Sequence, residues 1–201
     1  MKVYEYRDYE HYMEQQTLAN TNKIHNIWIS REAHSHFCKH YRKFRKDPAS
    51  ILCHGSRNGA EVRWFGNEFP NAEVLGTDIS YTATDFPNQV QWDMQKENPE
   101  WIAKWDLIYT NSLDHVTDFI GTLEVICNQL SDDGLFILDY TIWDDVTIKP
   151  SISDPLDVSL DEIKNGLAFA GLELIQTNWY RRNEELDMKS YYFICRRTME
   201  I

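Results

Sequence analysis

The stretch ILCHGSRNGAEV (residues 51–62) runs from an apolar segment through a glycine turn into a helical pattern. A strand, a tight turn and a helix in that order make the first half of a βαβ unit. Gly55 lets the chain turn sharply and lets a ligand approach the backbone, and Gly59 allows close packing of the helix start. Two glycines four apart also suit a turn that only joins packed elements, so the strands that follow decide its meaning.

Short, β-branched apolar runs recur at residues 51–53, 73–79, 89–94, 106–111, 135–140, 172–180 and 190–196, which implies seven strands. Helical patterns fill the gaps at 60–69, at 118–130 with Phe119, Leu123, Ile126 and Leu130 on one face, and at 159–170 with Ile163, Leu167 and Ala170. This alternation predicts an α/β fold with a mostly parallel sheet and helices on both faces. The link SYTATDFPN (residues 80–88) holds one helical turn at most, and RRNEELDMK (residues 181–189) joins the last two strands without a helix. The last strand is therefore expected to be antiparallel, in a hairpin at one edge.

With 201 residues, 42% of them apolar, the chain is expected to form a single domain, residues 1–201. Residues 1–47 form an N-terminal helical cap and 48–201 the core. The net charge of -12 makes a nucleic-acid partner unlikely, since phosphate binding needs clustered Lys and Arg. Cys38, Cys53, Cys127 and Cys195 show no metal-ligand spacing, so no metal site is expected, and they read as buried thiols of a reducing compartment. The first 16 residues contain no apolar leader-like run and no segment is long enough to span a bilayer, which predicts a soluble, cytoplasmic protein with no membrane partner.

Ser30 can cap a helix whose stripe is Ala33, Phe37, Tyr41 and Phe44, ended by Pro48. Its other face carries Arg31, Lys39, Arg42, Lys43, Arg45 and Lys46, a solvated face or a surface for an anionic partner.

In open α/β sheets ligands bind beyond the carboxyl ends of the strands. The second strand ends at Asp78, 23 residues after Gly55, near the spacing at which a carboxylate accepts from both hydroxyls of a ribose. Alternatively, Asp78 starts a turn or caps the segment after Ile79. The third strand ends in Trp92-Asp93-Met94, where Asp93 can accept from an adenine amine and the Met94 N–H can donate to a ring nitrogen. In this order the features outline an adenosine-shaped site.

At these residues the chain resembles the class I S-adenosylmethionine-dependent methyltransferases. The resemblance covers about residues 48–197: HGSRNG for the glycine motif, GTDIS and QWDM for the two acids, WDLIYTNSLDHV for the fourth strand, SDDGLFILDY for the fifth, and the terminal hairpin. It implies a Rossmann-like core with S-adenosyl-L-methionine as cofactor. Gly55, Ser56, Arg57 and Gly59 would line its methionine part, Asp78 and Ile79 the ribose, and Asp93 with Met94 the adenine. Asn111 to His115 would face the sulfonium and the acceptor. Cys53 stands where the family usually has an acid and Arg57 where the middle glycine sits; Arg57 then either pairs with the cofactor carboxylate or closes the site. A dinucleotide oxidoreductase ranks lower, because HGSRNG lacks the GxGxxG spacing.

Methyl transfer from a sulfonium is an in-line displacement that depends mainly on positioning. His115 is the candidate general base, oriented by Asp114 or Asp118, with a helix-start hydrogen-bonding role as the simpler account. The long loop of residues 141–155 offers Trp143, Asp144 and Asp145 as acceptor contacts, and the Tyr- and His-rich N-terminal helices would close over the same face. The fourth strand ends in TNSLDH rather than a [DN]PP[YFW] run, which favours a small-molecule oxygen or nitrogen acceptor. The reading from another class is a catalytically inactive scaffold that keeps the fold.

Overall fold

The computed structural model describes residues 1–142, 150–183 and 188–198. Along the chain these form β1 (Lys2–Val3), α1 (Tyr9–Asn22), α2 (Arg31–Tyr41), β2 (Ser50–His54), α3 (Ala60–Glu68), β3 (Glu73–Asp78), β4 (Gln89–Gln91) and β5 (Trp105–Thr110). They continue with α4 (Phe119–Gln129), β6 (Leu130–Ile142), β7 (Leu156–Asp157), α5 (Leu160–Phe169), β8 (Leu172–Asn183) and β9 (Met188–Arg197). The seven expected strands are all present, in the order β4-β3-β2-β5-β6-β9-β8. Neighbours from β4 through β6 pair in parallel, while β9 runs antiparallel to both β6 and β8. The terminal hairpin thus lies at the edge as expected, with its second strand on the inside. Strand order reverses between β2 and β5, which opens a crevice beyond their carboxyl ends.

Side chains alternate across the sheet and create two cores. Ile51, Cys53, Leu107, Tyr109, Leu135 and Ile137 face α2 and α3, where they meet Phe37, Tyr41, Val62 and Phe65. Leu52, Ile108, Phe136, Leu138 and Phe193 face α4 and α5, where they meet Leu123, Ile126, Ile163 and Leu167. This period of two, repeated in parallel strands, puts helices on both faces. Caps fix the helix starts: Ser30 accepts from Ala33 N, Asp118 from Gly121 N, and Ser159 with Glu162 makes a capping box. All four cysteines are buried and free.

Two local expectations change. Helix α2 ends at Tyr41 and closes into a turn, so Phe44 packs from beyond the helix. The third core strand stops at Gln91, which puts Asp93 in the following turn. In the basic run of residues 31–46 the three arginines are engaged within the chain: Arg42 binds Asp47 and Glu68, Arg45 binds Asp133, and Arg31 lies 5.6 Å from the Trp64 ring centroid. Lys39, Lys43 and Lys46 stay exposed.

One feature has no counterpart in the expected pattern: a two-residue ladder, Lys2–Asp157 and Val3–Leu156, pins the N-terminal segment to the chain after β6. Helix α1, within the expected N-terminal cap, buries only Tyr12 and Gln16 and lies against the short 3-10 turn at Tyr81–Asp85, beside the carboxyl ends of the strands. Among the described residues, no helix is long and apolar enough to cross a membrane.

Candidate functional site

The turn after β2 is built from left-handed backbone: φ is +66° at Gly55, +42° at Arg57 and +67° at Gly59. A Cβ on Gly55 would stand 2.4 Å from Cβ of Ser112, and the Ser112 hydroxyl donates to Gly55 O at 3.1 Å. The glycine therefore lets the first turn dock on the chain beyond β5. His54, just before it, is buried between Thr77 Oγ1 and Gln129 Oε1, both at 2.8 Å, and burial lowers its pKa to about 4. It pins the strand ends as a neutral imidazole. Ser56 is turned inward, its hydroxyl donating to Thr77 O and Gln89 Oε1. Gly59 packs against Gln89 and lines neither cavity described below.

Asp78 is almost fully buried beside this turn. Its Oδ2 accepts from Arg57 N at 3.0 Å, and its Oδ1 accepts from Ser80 N at 2.9 Å and from the Asn20 amide at 2.6 Å. Burial raises its pKa, and the Ser80 and Arg57 N–H bonds oppose that shift. Arg57, at the middle-glycine position, sends Nε to Asn20 Oδ1 at 3.0 Å. One carboxamide of α1 thus bridges the strand-end acid and the arginine.

Asp93 has a matching arrangement. Its Oδ2 accepts from the Tyr9 hydroxyl at 2.9 Å and its Oδ1 from Gln95 N at 2.9 Å. The Gln95 amide donates to Tyr12 Oη at 3.1 Å, while its Oε1 accepts from Thr117 N and Asp118 N, both at 2.8 Å. The Tyr12 hydroxyl then donates to His115 O at 3.0 Å. Gln95 joins the third-strand acid, α1 and the segment carrying His115.

Two connected cavities result. One of about 300 Å³ is bounded by Trp28, Arg57, Asn111, His115, Tyr140 and Asp154, among others. One of about 30 Å³ lies over Asp78, Ile79, Asp93 and Met94, under Tyr12 and Asn20 of α1. Gly55, Arg57, Ser112 and His115 line both. The residues expected at the cofactor, apart from Gly59, therefore gather around one crevice at the reversal of strand order.

His115 Nδ1 lies 2.8 Å from Ser153 O. A carbonyl only accepts, so Nδ1 carries a proton, and in the neutral ring the lone pair sits on Nε2. Asp114 Oδ1 is 3.8 Å from Nε2, and Asp154 Oδ1 is 3.9 Å from Nδ1. These three residues bring one ligand atom each within 4.8 Å of one another, and the carboxylates flank opposite ring nitrogens. Asp118, the other expected orienter, is committed to capping α4. Trp143, Asp144 and Asp145 lie outside the described residues.

Sequence reasoning passed over Asn20, Tyr9, Gln95, Glu61 and Asp154. Glu61 is buried at the start of α3, lines the larger cavity and accepts from Asn111 Nδ2 at 3.3 Å. Its position in the first helical turn of the ILCHGSRNGAEV segment was the available signal.

No protein-family model matches the chain, and no curated protein matches its sequence. Solved structures do match. A 1,6-didemethyltoxoflavin-N1-methyltransferase from Burkholderia thailandensis, with bound 1,6-didemethyltoxoflavin and S-adenosylhomocysteine, aligns over 98% of this chain and 93% of its own, at 15% identity and a TM-score of 0.74. The [4+2]-cyclase SpnF aligns over 94% of each chain, at 10% identity and a TM-score of 0.69. A phosphoethanolamine N-methyltransferase 2 from Haemonchus contortus, with phosphomonomethylethanolamine and S-adenosylhomocysteine, covers 98% of this chain and 61% of its own, at 12% identity and a TM-score of 0.67. The fold of this chain is that of the class I S-adenosylmethionine-dependent methyltransferases.

Proposed function

We propose that the protein is an S-adenosylmethionine-dependent methyltransferase that transfers a methyl group in line to an oxygen or nitrogen of a small molecule. The observation that carries this reading is the pair Asp78 and Asp93 beyond successive strands, facing one crevice beside the Gly55 turn. Among the described residues Asp78 Oδ2 has a single donor, Arg57 N, which leaves acceptor capacity for one ribose hydroxyl. A second hydroxyl takes the place of the Asn20 amide on Oδ1. Ile79 packs at the ribose, and Asp93 with the Met94 N–H meets the adenine. Gly55, Ser56 and Arg57 border the methionine end, where the Arg57 guanidinium suits its carboxylate. Gly59 supports this turn from behind, and Asn111 faces the reaction.

When bound, the cofactor supplies an electrophilic methyl group on a sulfonium. The chain positions the acceptor in the 300 Å³ cavity, and His115 Nε2 takes a proton where the acceptor must lose one. The small-molecule acceptors bound in the Burkholderia and Haemonchus structures support this scale of substrate.

A second reading, a non-catalytic protein on the same fold, draws on Asn20 and Tyr9. They already donate to Asp78 and Asp93. Calorimetry with S-adenosylmethionine separates the two. Micromolar binding that falls at least 100-fold in Asp78→Ala is the expected result, and no binding at millimolar cofactor removes the enzyme reading.

A further inference from the structure

The floor of the larger cavity contains two neighbouring acceptors. Asp114 Oδ1 is buried and has no hydrogen-bond donor among the described residues. His115 Nε2, 3.8 Å away, carries the lone pair of the neutral ring because Nδ1 holds the hydrogen that it donates to Ser153 O. A buried acceptor without a donor is costly, so this spot calls for a group that brings hydrogens. The surrounding charge has the same sign. Glu61, Asp114, Asp154 and Asp157 line the cavity against Lys23 and Arg57. Arg57 is held by Asn20 beside Asp78 and feels the charge of Glu61, Asp114 and Asp154, and Lys2 lies 3.8 Å from Asp157.

These observations discriminate between acceptor classes. A carboxylate brings no hydrogen and adds negative charge to an acidic wall. A hydroxyl brings one hydrogen to two acceptors. A primary or secondary ammonium brings at least two, together with the complementary charge, and the Tyr140 and Trp28 rings on the cavity wall suit a cation as well. We infer that the acceptor is a primary or secondary amine whose nitrogen sits between Asp114 Oδ1 and His115 Nε2, so that the reaction is an N-methylation. This rests on the methyltransferase reading above.

The chemistry balances without a further reagent. The ammonium gives one proton to His115 Nε2 and keeps an N–H bond to Asp114. The freed lone pair forms the N–C bond as the C–S bond of the sulfonium breaks, and that electron pair stays on sulfur as a thioether. The N-methylammonium product retains one positive charge against Asp114, and the proton on His115 passes to water.

The test titrates matched probes into the protein saturated with S-adenosylhomocysteine: benzylamine against benzyl alcohol, 2-phenylethylamine against 2-phenylethanol, and cyclohexylamine against cyclohexanol. The amine is expected to bind at least tenfold tighter in one or more pairs, and Asp114→Asn to abolish the preference while holding S-adenosylhomocysteine affinity within twofold. Equal or tighter binding of the alcohols, no binding by any amine, or a preference that survives Asp114→Asn overturns the inference. If S-adenosylhomocysteine itself does not bind, it is the methyltransferase reading that falls.

Discussion

The carboxamide of Asn20 donates to Asp78 Oδ1 at 2.6 Å, across 58 residues of chain, at the oxygen that would otherwise receive a ribose hydroxyl. Helix α1 therefore holds the crevice closed with a donor that resembles the ligand's own. A hydrogen bond to a charged group contributes about 1.5–3 kcal/mol, and a cofactor must displace it. Asn20→Ala is expected to lower the melting temperature and to tighten S-adenosylhomocysteine about tenfold, near 1.4 kcal/mol. Weaker binding by calorimetry would show that Asn20 stays and contacts the ligand.

Asp78 also sets a pH dependence. Burial raises the pKa of its carboxyl from the ordinary value, and the bound ribose needs the ionised form as acceptor. Affinity for S-adenosylhomocysteine is therefore present at neutral pH and falls on acidification, earlier than an exposed aspartate would dictate. Calorimetry from neutral pH downward should show this slope in the native chain, and weaker but pH-independent binding in Asp78→Asn. Identical slopes would assign the titration to another group.

The sheet and its helices were legible because burial alternates in the strands and caps stand at the helix starts. Ser30, Asp118 and Ser159 are all cap residues by type as well as by contact. Asp78 and Asp93 could be located from strand-end position alone. An N-terminal cap over this face was expected, but the contacts of helix α1 could not be located, since Tyr12 and Gln16 are its only buried side chains and a largely polar helix writes no apolar stripe. Its work lies in long-range donors such as Tyr9 to Asp93, 84 residues away, which no local spacing encodes. Gln95 is hidden for the same reason, and the β1–β7 ladder is too short to register as a pattern. Asp118 carried a readable signal, because an aspartate just before an apolar helix is first a cap and only then a partner for His115.

Gly55 and Gly66 make a contrast within one turn and its helix. Gly55 is left-handed and its Cβ would overlap Ser112, whereas a Cβ on Gly66 meets nothing within 4 Å. Gly55→Ala is expected to cost about 3 kcal/mol from backbone strain and overlap together and to weaken cofactor binding by moving the segment that contains His115. Gly66→Ala should be neutral or stabilise α3 by up to about 1 kcal/mol. Thermal melts of the two variants in parallel check this, and equal effects would mean that the first turn does not dock on Ser112.

Gln95 satisfies three donors with one oxygen: Thr117 N, Asp118 N and the Thr117 hydroxyl at 3.0 Å. Gln95→Leu removes that acceptor and leaves Asp93 and Tyr12 without a shared donor. A loss of about 2 kcal/mol follows, which for a chain of this length lowers the melting temperature by roughly 4–8 °C. S-adenosylhomocysteine binding should weaken several-fold even though Gln95 need not touch it. An unchanged affinity would show that Asp93 is held without this bridge.

The acid limit of stability is set in part by two imidazoles that line neither cavity. Burial lowers the pKa of both His54 and His34 from 6.5 to about 4. As pH falls below 6.5 the unfolded chain takes up these protons first, so stability present in full above that pH is lost progressively down to about 4. Each site contributes roughly 3 kcal/mol over the interval. Urea unfolding at pH 7, 5.5 and 4.5 should show the loss, and His54→Gln should remove about half of the histidine share while lowering stability at pH 7, where the Thr77 and Gln129 partners are disturbed. If the native and variant curves stay parallel across this range, His54 already titrates normally in the folded chain and is not the buried neutral pin between the strand ends.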